Sequence, residues 1–409
     1  FYSYATAAAL VFGPLFFPEF SPLAGTLAAL ATFAVGFVAR PLGSIFCGHF
    51  GDRIGRKSML VLCLLIAGSA TFLMGVLPTY ATIGIWAPVL LVTLRFVQGF
   101  SFGGEYAGAV LMVAEYAPPE RRGFFSGFVP AGSPVGLMLA NGTVLLVALM
   151  PREQFLAWGW RLPFLFSIVL VAIGLYIRLK IYETPAFRRV RETRTEARMP
   201  IIDVLRRSPG RVLLAGGISF GFAAIFYITI IFLLSYGTSQ LGISGSVLLV
   251  GTIIGAVFQI ATILGFNALS DRIGRRPVII GGALVSAALA FPFFWLLQSG
   301  APALVWLAIT AMMVSSAAIY GPLAVLLAEL FGTRLRYSGA SLGYQLGATI
   351  GGGFSPLIAT SILAWSGGGP WPVALYLVAV GLVAAACTYL LTETVRADML
   401  EDVPAVGYE

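Results

Sequence analysis

About twelve long apolar segments divide this chain, and they constrain its fold more than any other feature. Hydrophobic residues make up 59% of its 409 residues and charged residues only 10%, whereas soluble domains carry roughly 25% charged residues. A membrane-spanning helix needs roughly 20 apolar residues, while β-barrel strands are about half as long and alternate. We therefore predict an all-α polytopic membrane protein with twelve transmembrane helices in two six-helix bundles. The predicted spans cover about 1–17, 23–50, 59–77, 84–115, 123–149, 159–181, 211–237, 245–270, 278–298, 303–330, 337–365 and 371–392.

A ten-residue phrase occurs twice and indicates an internal duplication. It reads GHFGDRIGRK from Gly48 and NALSDRIGRR from Asn267, 219 positions later. A second pair, AEYAPPERRG from Ala114 and AELFGTRLRY from Ala328, aligns at a shift of 214. Charged clusters that recur at corresponding span ends are typical of two similar bundles. We predict an N-terminal bundle over 1–182, a linker over 183–210, a C-terminal bundle over 211–392 and a tail over 393–409.

The basic residues lie mainly on one side of this layout. Of the 25 Lys and Arg residues, 21 fall in the segments on the side that carries both repeated phrases, and Arg152 and Arg161 fall on the other. This asymmetry follows the positive-inside rule, so that side is expected to be cytoplasmic, with both termini inside. The net charge of +8 then reflects topology rather than a nucleic-acid partner. The bilayer of a bacterial plasma membrane is the expected surrounding.

Smaller features complete the outline. Cys47, Cys63 and Cys387 lie in or at the ends of apolar spans, so no disulfide and no metal centre is predicted. Phe1 is not an initiator methionine and begins inside an apolar run, so an upstream segment is expected to precede it. The polar stretch 183–209 forms either short amphipathic surface helices or a solvated linker. Glycines in spans four and eleven have the small-xxx-small spacing of close helix contacts.

The repeated phrases are predicted to act as latches on the cytoplasmic side. Asp52 with Arg56, and Asp271 with Arg275, can pair across a turn and cap neighbouring helix ends. Such pairs must break when this side opens, so we predict a gating role that depends on the conformational state. The complete set of predicted gating residues is Asp52, Arg53, Arg56, Glu115, Arg122, Asp271, Arg275, Glu329 and Arg336.

Three ionisable residues, Arg40, Arg95 and Glu105, fall within the predicted hydrocarbon layer. Charges at this depth are costly and are functional candidates by default. Shifting Arg40 by 219 positions gives Gln259, and shifting the other two by 214 gives isoleucines. An architectural requirement would predict counterparts in both halves, so a functional role is favoured; the alternative is that the charges satisfy one another or helix ends.

Arg40 lies twelve residues from Asp52, which is about 18 Å along a helix and hence near mid-depth. Its planar cationic fork suits a carboxylate, and Glu105, as the one deep carboxylate, is the predicted proton-coupling residue. Aromatic and amide residues are expected to complete the cavity, although they also serve as interhelical hydrogen-bond partners. The predicted substrate-binding residues are Arg40, Arg95, Gln98, Tyr2, Tyr4, Tyr227, Gln259, Tyr320, Tyr344 and Gln345, with Asn141 as a further candidate.

The repeated phrases resemble the hallmark loop of the major facilitator superfamily. Within it, ATFAVGFVARPLGSIFCGHFGDRIGRK, RFVQGFSFGGEYAGA, WGWRLPF, ETPAF and RYSGASLGYQLG together resemble the metabolite:proton symporter family, and the resemblance covers nearly the whole chain. It implies two bundles that rock about a central site and carry carboxylates, or osmolytes such as proline and betaine, with protons. The same resemblance implies functional weight at Arg40, Arg95, Gln98 and Glu105, and gating weight at Asp52, Arg56, Asp271 and Arg275.

The sequence thus favours a proton-coupled symporter for a small organic anion, such as shikimate or 2-oxoglutarate. It is expected to work as a monomer and without a cofactor. No catalysed reaction is predicted, because no nucleophile, metal-ligand or phosphate-binding arrangement lies within reach. A zwitterionic osmolyte symporter is the alternative, which the short segment after Thr392 makes less favoured. A membrane receptor that kept the fold but transports nothing is a remote second alternative.

Overall fold

The apolar segments form helices that cross the molecule from end to end. The structure, a computed structural model, describes residues 1–54, 56–180, 204–206, 208–331 and 336–395, and it describes their side chains except at 9, 10, 22, 48, 49, 51–54, 56, 57 and 178. No strand occurs in these ranges. Eleven described helices are long and apolar enough to cross a membrane. The predicted first span is covered by two shorter helices, which meet at Val11.

The helices keep the order of the twelve predicted spans, whose numbers we retain. Span 1 comprises Tyr2–Leu10 and Phe12–Phe16; spans 2, 3 and 4 are Pro22–Ile54, Arg56–Val76 and Trp86–Tyr116; span 5 comprises Arg122–Ser126 and Phe128–Val147; span 6 comprises Leu162–Leu165 and Ser167–Lys180; span 7 is Pro209–Ser239; spans 8, 9 and 10 are Gly245–Ile273, Arg275–Gln298 and Pro302–Leu330; span 11 is Arg336–Trp365; and span 12 is Trp371–Leu390. Short helices Tyr80–Ile83 and Arg152–Ala157 lie in connections between spans.

The second repeated phrase makes a tighter turn than predicted. Span 8 continues through Asp271 to Ile273, and span 9 begins at Arg275, so Gly274 alone connects them. Its φ of +103° lies in the left-handed region that favours glycine. Asp271 and Arg275 therefore lie on helices rather than in a loop. Residue 55 of the first phrase and most of the predicted linker fall outside the described ranges.

Glycines allow close contacts between helix backbones. A Cβ on Gly99 of span 4 would lie 2.6 Å from the carbonyl carbon of Gly36 in span 2, and one on Gly347 of span 11 would lie 2.5 Å from the backbone nitrogen of Phe220 in span 7. No side chain fits at either position without moving backbone. The glycine spacing in spans 4 and 11 is thus explained by helix packing.

Two helices of the second half are locally π-helical. Span 7 changes from α to π over Ile228–Phe232, and span 11 does so over Thr349–Phe354. Single-turn π segments inside α-helices are frequent at functional sites. Both segments begin within a few residues of tyrosines that line a cavity, Tyr227 and Tyr344. The π segments therefore indicate at what depth along the helices a functional site is expected.

Candidate functional site

A cavity of about 350 Å³ lies between the two halves of the molecule. Spans 1, 2, 4 and 5 line one side, and spans 7, 10 and 11 line the other. Seven predicted site residues are among its walls: Tyr2, Arg40, Glu105, Tyr227, Tyr320, Tyr344 and Gln345. The structure therefore brings together residues that are up to about 340 positions apart in the chain.

Arg40 brings a positive charge to this cavity. Its side chain is buried, and its guanidinium carbon lies 4.0 Å from the ring centre of Phe37 and 4.5 Å from that of Phe1. Such cation–π contacts stabilise a buried cation without neutralising it. Arg40 forms no ion pair with any residue whose side chain the structure describes, and its Nε has no hydrogen-bond partner there. The cavity thus holds a guanidinium that forms no ion pair with a described side chain.

Arg95 lies behind the cavity wall rather than in it. Its side chain is fully buried, and its guanidinium carbon lies 4.2 Å from the ring centre of Phe1, 4.3 Å from Tyr4 and 4.7 Å from Phe33. The Phe1 ring therefore contacts both guanidinium groups. Arg95 adds positive potential to the cavity, but it touches no cavity space in this conformation.

Three more predicted binding residues also lie away from the cavity. Gln98 accepts a hydrogen bond from Arg95 and donates one of 2.6 Å to Thr71, within the first half. The Tyr4 hydroxyl donates to Thr32 over 2.6 Å. Gln259, the repeat counterpart of Arg40, donates to Ser316 over 3.1 Å inside the second half. These residues join helices of one half to each other, and their binding role stays a prediction.

Tyrosines from both halves form much of the polar lining. Tyr2 is hydrogen-bonded to Ser133 across spans 1 and 5. The rings of Tyr106 and Tyr344 stack across the two halves with centres 4.1 Å apart. Tyr320 stacks in turn on Phe222, with centres 4.0 Å apart. The cavity thus combines flat aromatic faces with hydroxyl groups, which suits a small ligand that is partly apolar and partly polar.

Glu105 and Gln345 line the cavity from opposite halves, in spans 4 and 11. We define the basic end as the end of the molecule bearing Asp271 and Arg275. The Gln345 amide donates to the Gly103 carbonyl over 2.9 Å. Gln345 and Gly103 belong to different halves, so this bond holds the halves together next to the cavity. We call the contact between spans 4 and 11 the seam. Glu105 is half-buried and lines the same cavity as Arg40. A carboxyl group and a guanidinium without an ion-pair partner among the described side chains therefore line one cavity.

A charged network joins the halves at the basic end. Arg275, which is fully buried, donates to Asp271 Oδ1 over 2.6 Å and to Glu329 Oε1 over 3.1 Å. The two oxygens of Asp271 also accept the backbone N–H groups of Gly123 and Phe124, over 2.8 and 2.9 Å, in the first turn of span 5. A carboxylate at a helix N-terminus is favourable. Asp271 therefore links span 8 of the second half to span 5 of the first.

The same network extends beyond the second repeated phrase. Arg122 of the first half approaches Glu329 to 4.0 Å, and the Thr394 hydroxyl donates to Glu329 over 2.8 Å. Glu393 accepts the backbone N–H groups of Arg275 and Arg276 at the start of span 9. The residues directly after span 12 thus contact the latch.

The other predicted gating residues are placed as follows. Arg336 is buried at the start of span 11 and donates to the Phe331 carbonyl over 3.2 Å, while Glu115 is half-buried in the last turn of span 4. The side chains of Asp52, Arg53 and Arg56 lie outside the described residues. Only the second of the two predicted latches can therefore be seen.

A neutral hydrogen-bond chain joins the halves on the other side of the cavity. The Thr6 hydroxyl donates to Asn141 Oδ1 over 2.9 Å, and Asn141 Nδ2 donates to the Thr252 hydroxyl over 2.8 Å. Asn141 lies eight residues, or about 12 Å of helix, beyond Ser133 of the cavity wall. The halves are therefore held together on both sides of the cavity.

Some cavity residues were not predicted. Phe1, Phe102, Tyr106, Phe222 and Phe226 all line the site, but an aromatic residue in an apolar helix carries no signal of which way it faces. Phe102 could have been found, because it lies three residues before the predicted proton site Glu105 and therefore on the same face of span 4.

Comparison with known proteins agrees with this architecture. Residues 1–342 match the Major Facilitator Superfamily model. The shikimate transporter of Escherichia coli (strain K12) is 43% identical over 404 residues, which is 97% of this chain and 92% of that protein. A proline/betaine transporter of Salmonella typhimurium is 34% identical over 412 residues, which is 98% of this chain and 81% of the relative.

A solved structure shares the fold. The proton:xylose symporter XylE superimposes with a TM-score of 0.77 at 18% identity, over 96% of this chain and 93% of that one. The predicted fold class and the predicted absence of an enzymatic family are both in line with these matches. The chain belongs to the major facilitator superfamily of membrane transporters. Within that superfamily it is similar to transporters of the metabolite:proton symporter family.

Proposed function

We propose that this protein is a proton-coupled symporter that carries a small organic anion across a bacterial plasma membrane by alternating access. The observation that carries the proposal is Arg40, whose guanidinium lines a cavity between the halves and has no anionic partner among the described side chains. A bound carboxylate supplies that partner. Of the substrates named for the two relatives above, shikimate is a net anion, whereas proline and betaine are zwitterions.

The volume of the cavity limits the size of the substrate. A cavity of about 350 Å³ is near the lower end of ligand pockets, which run from roughly 300 to 1,000 Å³. Aromatic rings among the lining residues, such as those of Phe102 and Phe226, favour a substrate with an apolar ring or chain, and the surrounding hydroxyl groups favour further polar substituents. A monocarboxylate or dicarboxylate metabolite meets these conditions.

Glu105 is assigned the proton. It lines the cavity that Arg40 lines, so its protonation state changes the net charge that the substrate meets. A protonated Glu105 leaves the positive charge of Arg40 dominant and favours anion binding, whereas release of the proton restores a competing carboxylate. The proton gradient is then the driving force, and no resident cofactor takes part.

The alternative is a zwitterionic osmolyte symporter, which the proline/betaine relative supports. A zwitterion brings its own positive charge, which gains nothing from Arg40 and Arg95 in this mostly cationic site. The two arginines therefore favour the anion. Arg95 is enclosed by Phe1, Tyr4 and Phe33 and contributes positive potential to the cavity without contacting the substrate.

A counterflow and uptake panel on the purified protein in liposomes tests the proposal. The solutes are shikimate, 2-oxoglutarate, citrate, proline and betaine, each with and without an imposed proton gradient. We expect carboxylate flux that the gradient stimulates. Glu105→Gln should abolish gradient-driven accumulation and keep exchange of preloaded substrate; persisting accumulation would disprove the proton assignment.

Arg40 is tested in the same panel with a matched pair of variants. Arg40→Gln removes the charge and Arg40→Lys keeps it, so carboxylate affinity should fall about tenfold or more in the first and less in the second, since a charge-assisted hydrogen bond contributes about 1.5–3 kcal/mol. Equal losses of carboxylate affinity in the two variants would contradict a role for the Arg40 charge in binding the substrate carboxylate. Flux of proline or betaine alone in the unmodified protein would favour the osmolyte alternative.

A further inference from the structure

Two cysteine side chains that the proposed transport cycle does not use lie against each other. The Sγ atoms of Cys47 in span 2 and Cys63 in span 3 are 3.4 Å apart. Both side chains are buried, in a small cluster with Met59 and Phe50. Both positions lie on the basic side of the cavity, within two or three helical turns of the end of spans 2 and 3.

Cys47 also lies at the seam between the halves. A Cβ placed on Gly104 would be 2.9 Å from the Cys47 sulfur and 3.0 Å from the Tyr337 hydroxyl. That hydroxyl donates to the Gly104 carbonyl over 2.7 Å, which joins span 11 to span 4. The sulfur and the hydroxyl thus cover the same glycine from opposite halves. When the seam separates, Cys47 loses part of the cover that buries it.

We propose that Cys47 and Cys63 form a redox-responsive dithiol that a peroxide converts into an intramolecular disulfide when the basic end opens. One thiolate attacks an oxygen of hydrogen peroxide, which breaks the O–O bond and gives a sulfenic acid and, with a proton, water. The second thiol attacks the sulfenic sulfur, and the hydroxyl leaves as a second water. Two thiols and one peroxide thereby yield one disulfide and two waters.

The geometry favours this reaction over further oxidation. The sulfur atoms need to approach only from 3.4 Å to a bond length of about 2.05 Å. A neighbouring thiol that traps the sulfenic acid keeps the modification reversible, and disulfides in reducing compartments are typically transient and redox-sensing. Cys387, by contrast, packs against Gly217 in the second half, with no other described cysteine in contact.

The bond should also affect transport. Formation of the disulfide draws the Cys47 sulfur toward span 3 and away from Gly104, beneath the Tyr337 contact. The packing of the seam then differs between the reduced and oxidised protein. We expect slower uptake after oxidation, and recovery with a thiol reductant.

Peptide mapping of the full chain in liposomes tests the proposal. The protein is exposed to hydrogen peroxide, the remaining thiols are alkylated with a maleimide, and each cysteine is quantified by mass spectrometry. Of the three cysteines, we expect Cys47 and Cys63 to lose label together, to appear as a linked peptide pair and to recover label after reduction. Cys387 should keep its label and serve as the internal control.

Two variants make the result decisive. Cys63→Ser should leave Cys47 at the sulfenic or higher acids with no linked peptide, and Tyr337→Phe, which removes the bond across the seam, should speed disulfide formation. Independent loss of the two labels, a link to Cys387 or to a second copy, or a rate unchanged by Tyr337→Phe would each overturn the proposal. Size-exclusion profiles identify any variant that fails to fold.

Discussion

The two closures on either side of the cavity are built from different chemistry. At the basic end, Asp271, Arg275 and Glu329 form a buried ionic network that reaches the first half through two backbone N–H groups. On the other side, Asn141 connects two threonine hydroxyls. Hydrogen bonds to charged groups contribute about 1.5–3 kcal/mol each and neutral ones about 0.5–1.5 kcal/mol. The basic end is therefore expected to be the harder one to open.

This inequality bears on direction. The basic end is the predicted cytoplasmic side. If that prediction holds, the protein rests with its binding site more readily available to the outside, and opening toward the cytoplasm requires the substrate-loaded state to weaken an ionic network. The predictions below test whether charge accounts for the expected difference in strength between the two closures.

Arg275→Ala should have the largest effect. It leaves Asp271 and Glu329 buried without their shared cation, and removal of one partner from a buried ion pair costs about 3–5 kcal/mol. We expect initial uptake rates in proteoliposomes to fall roughly tenfold or more and the thermal unfolding temperature to fall as well. Arg272→Ala, at an exposed position three residues earlier, is the matched control. Unchanged uptake in Arg275→Ala would show that the network does not set the closure.

Asp271→Asn should have an intermediate effect. The amide keeps an acceptor for one of the two N–H groups at Gly123 and Phe124 but loses the charge and the second acceptor. We expect faster hydrogen–deuterium exchange in the peptide that contains these two residues, with the fold retained. Exchange at wild-type rates there would mean that other contacts protect the start of span 5.

Asn141→Ala should have the smallest effect, because only neutral hydrogen bonds are lost. Only the bond from Asn141 to Thr252 crosses between the halves. For the loss of that one bond we expect a change in transport rate of roughly tenfold or less, corresponding to about 0.5–1.5 kcal/mol, and no loss of thermal stability comparable to that of Arg275→Ala. Thr143→Ala is the control, since its hydroxyl bonds only carbonyls of its own helix. A larger loss in Asn141→Ala than in Arg275→Ala would reverse the ranking of the two closures.

The closures also show what the sequence could predict. The repeat identified Asp271, Arg275 and Glu329 because charges stand out in an apolar chain. Asn141 was predicted as a cavity residue, whereas the structure places it in the closure beyond the cavity. One amide in a helix does not reveal its partners, since Thr6 and Thr252 lie more than 100 residues away along the chain. Composition and periodicity thus identify the helices, but contacts between distant helices remain hidden.

The two deep arginines illustrate the same limit. Both were identified by burial cost, which depends only on depth. Whether a side chain faces the cavity or the interior of one half depends on the rotation of its helix about the helix axis. The apolar spans carry little amphipathic pattern from which that rotation could be predicted. Arg40 faces the cavity and Arg95 faces Tyr4 and Phe33. The pairing of Gln259 with Ser316, inside one half, was hidden for the same reason.

The glycine contacts between spans 2 and 4, and between spans 7 and 11, have an evolutionary consequence. Where Gly99 meets Gly36 and Gly347 meets Phe220, backbone touches backbone, so the diameter of each bundle is set at positions that tolerate no side chain. The cavity wall is made of side chains from the same helices. We therefore expect the glycine positions to stay fixed during evolution, while exchanges among aromatic and polar residues of the wall alter the choice of solute.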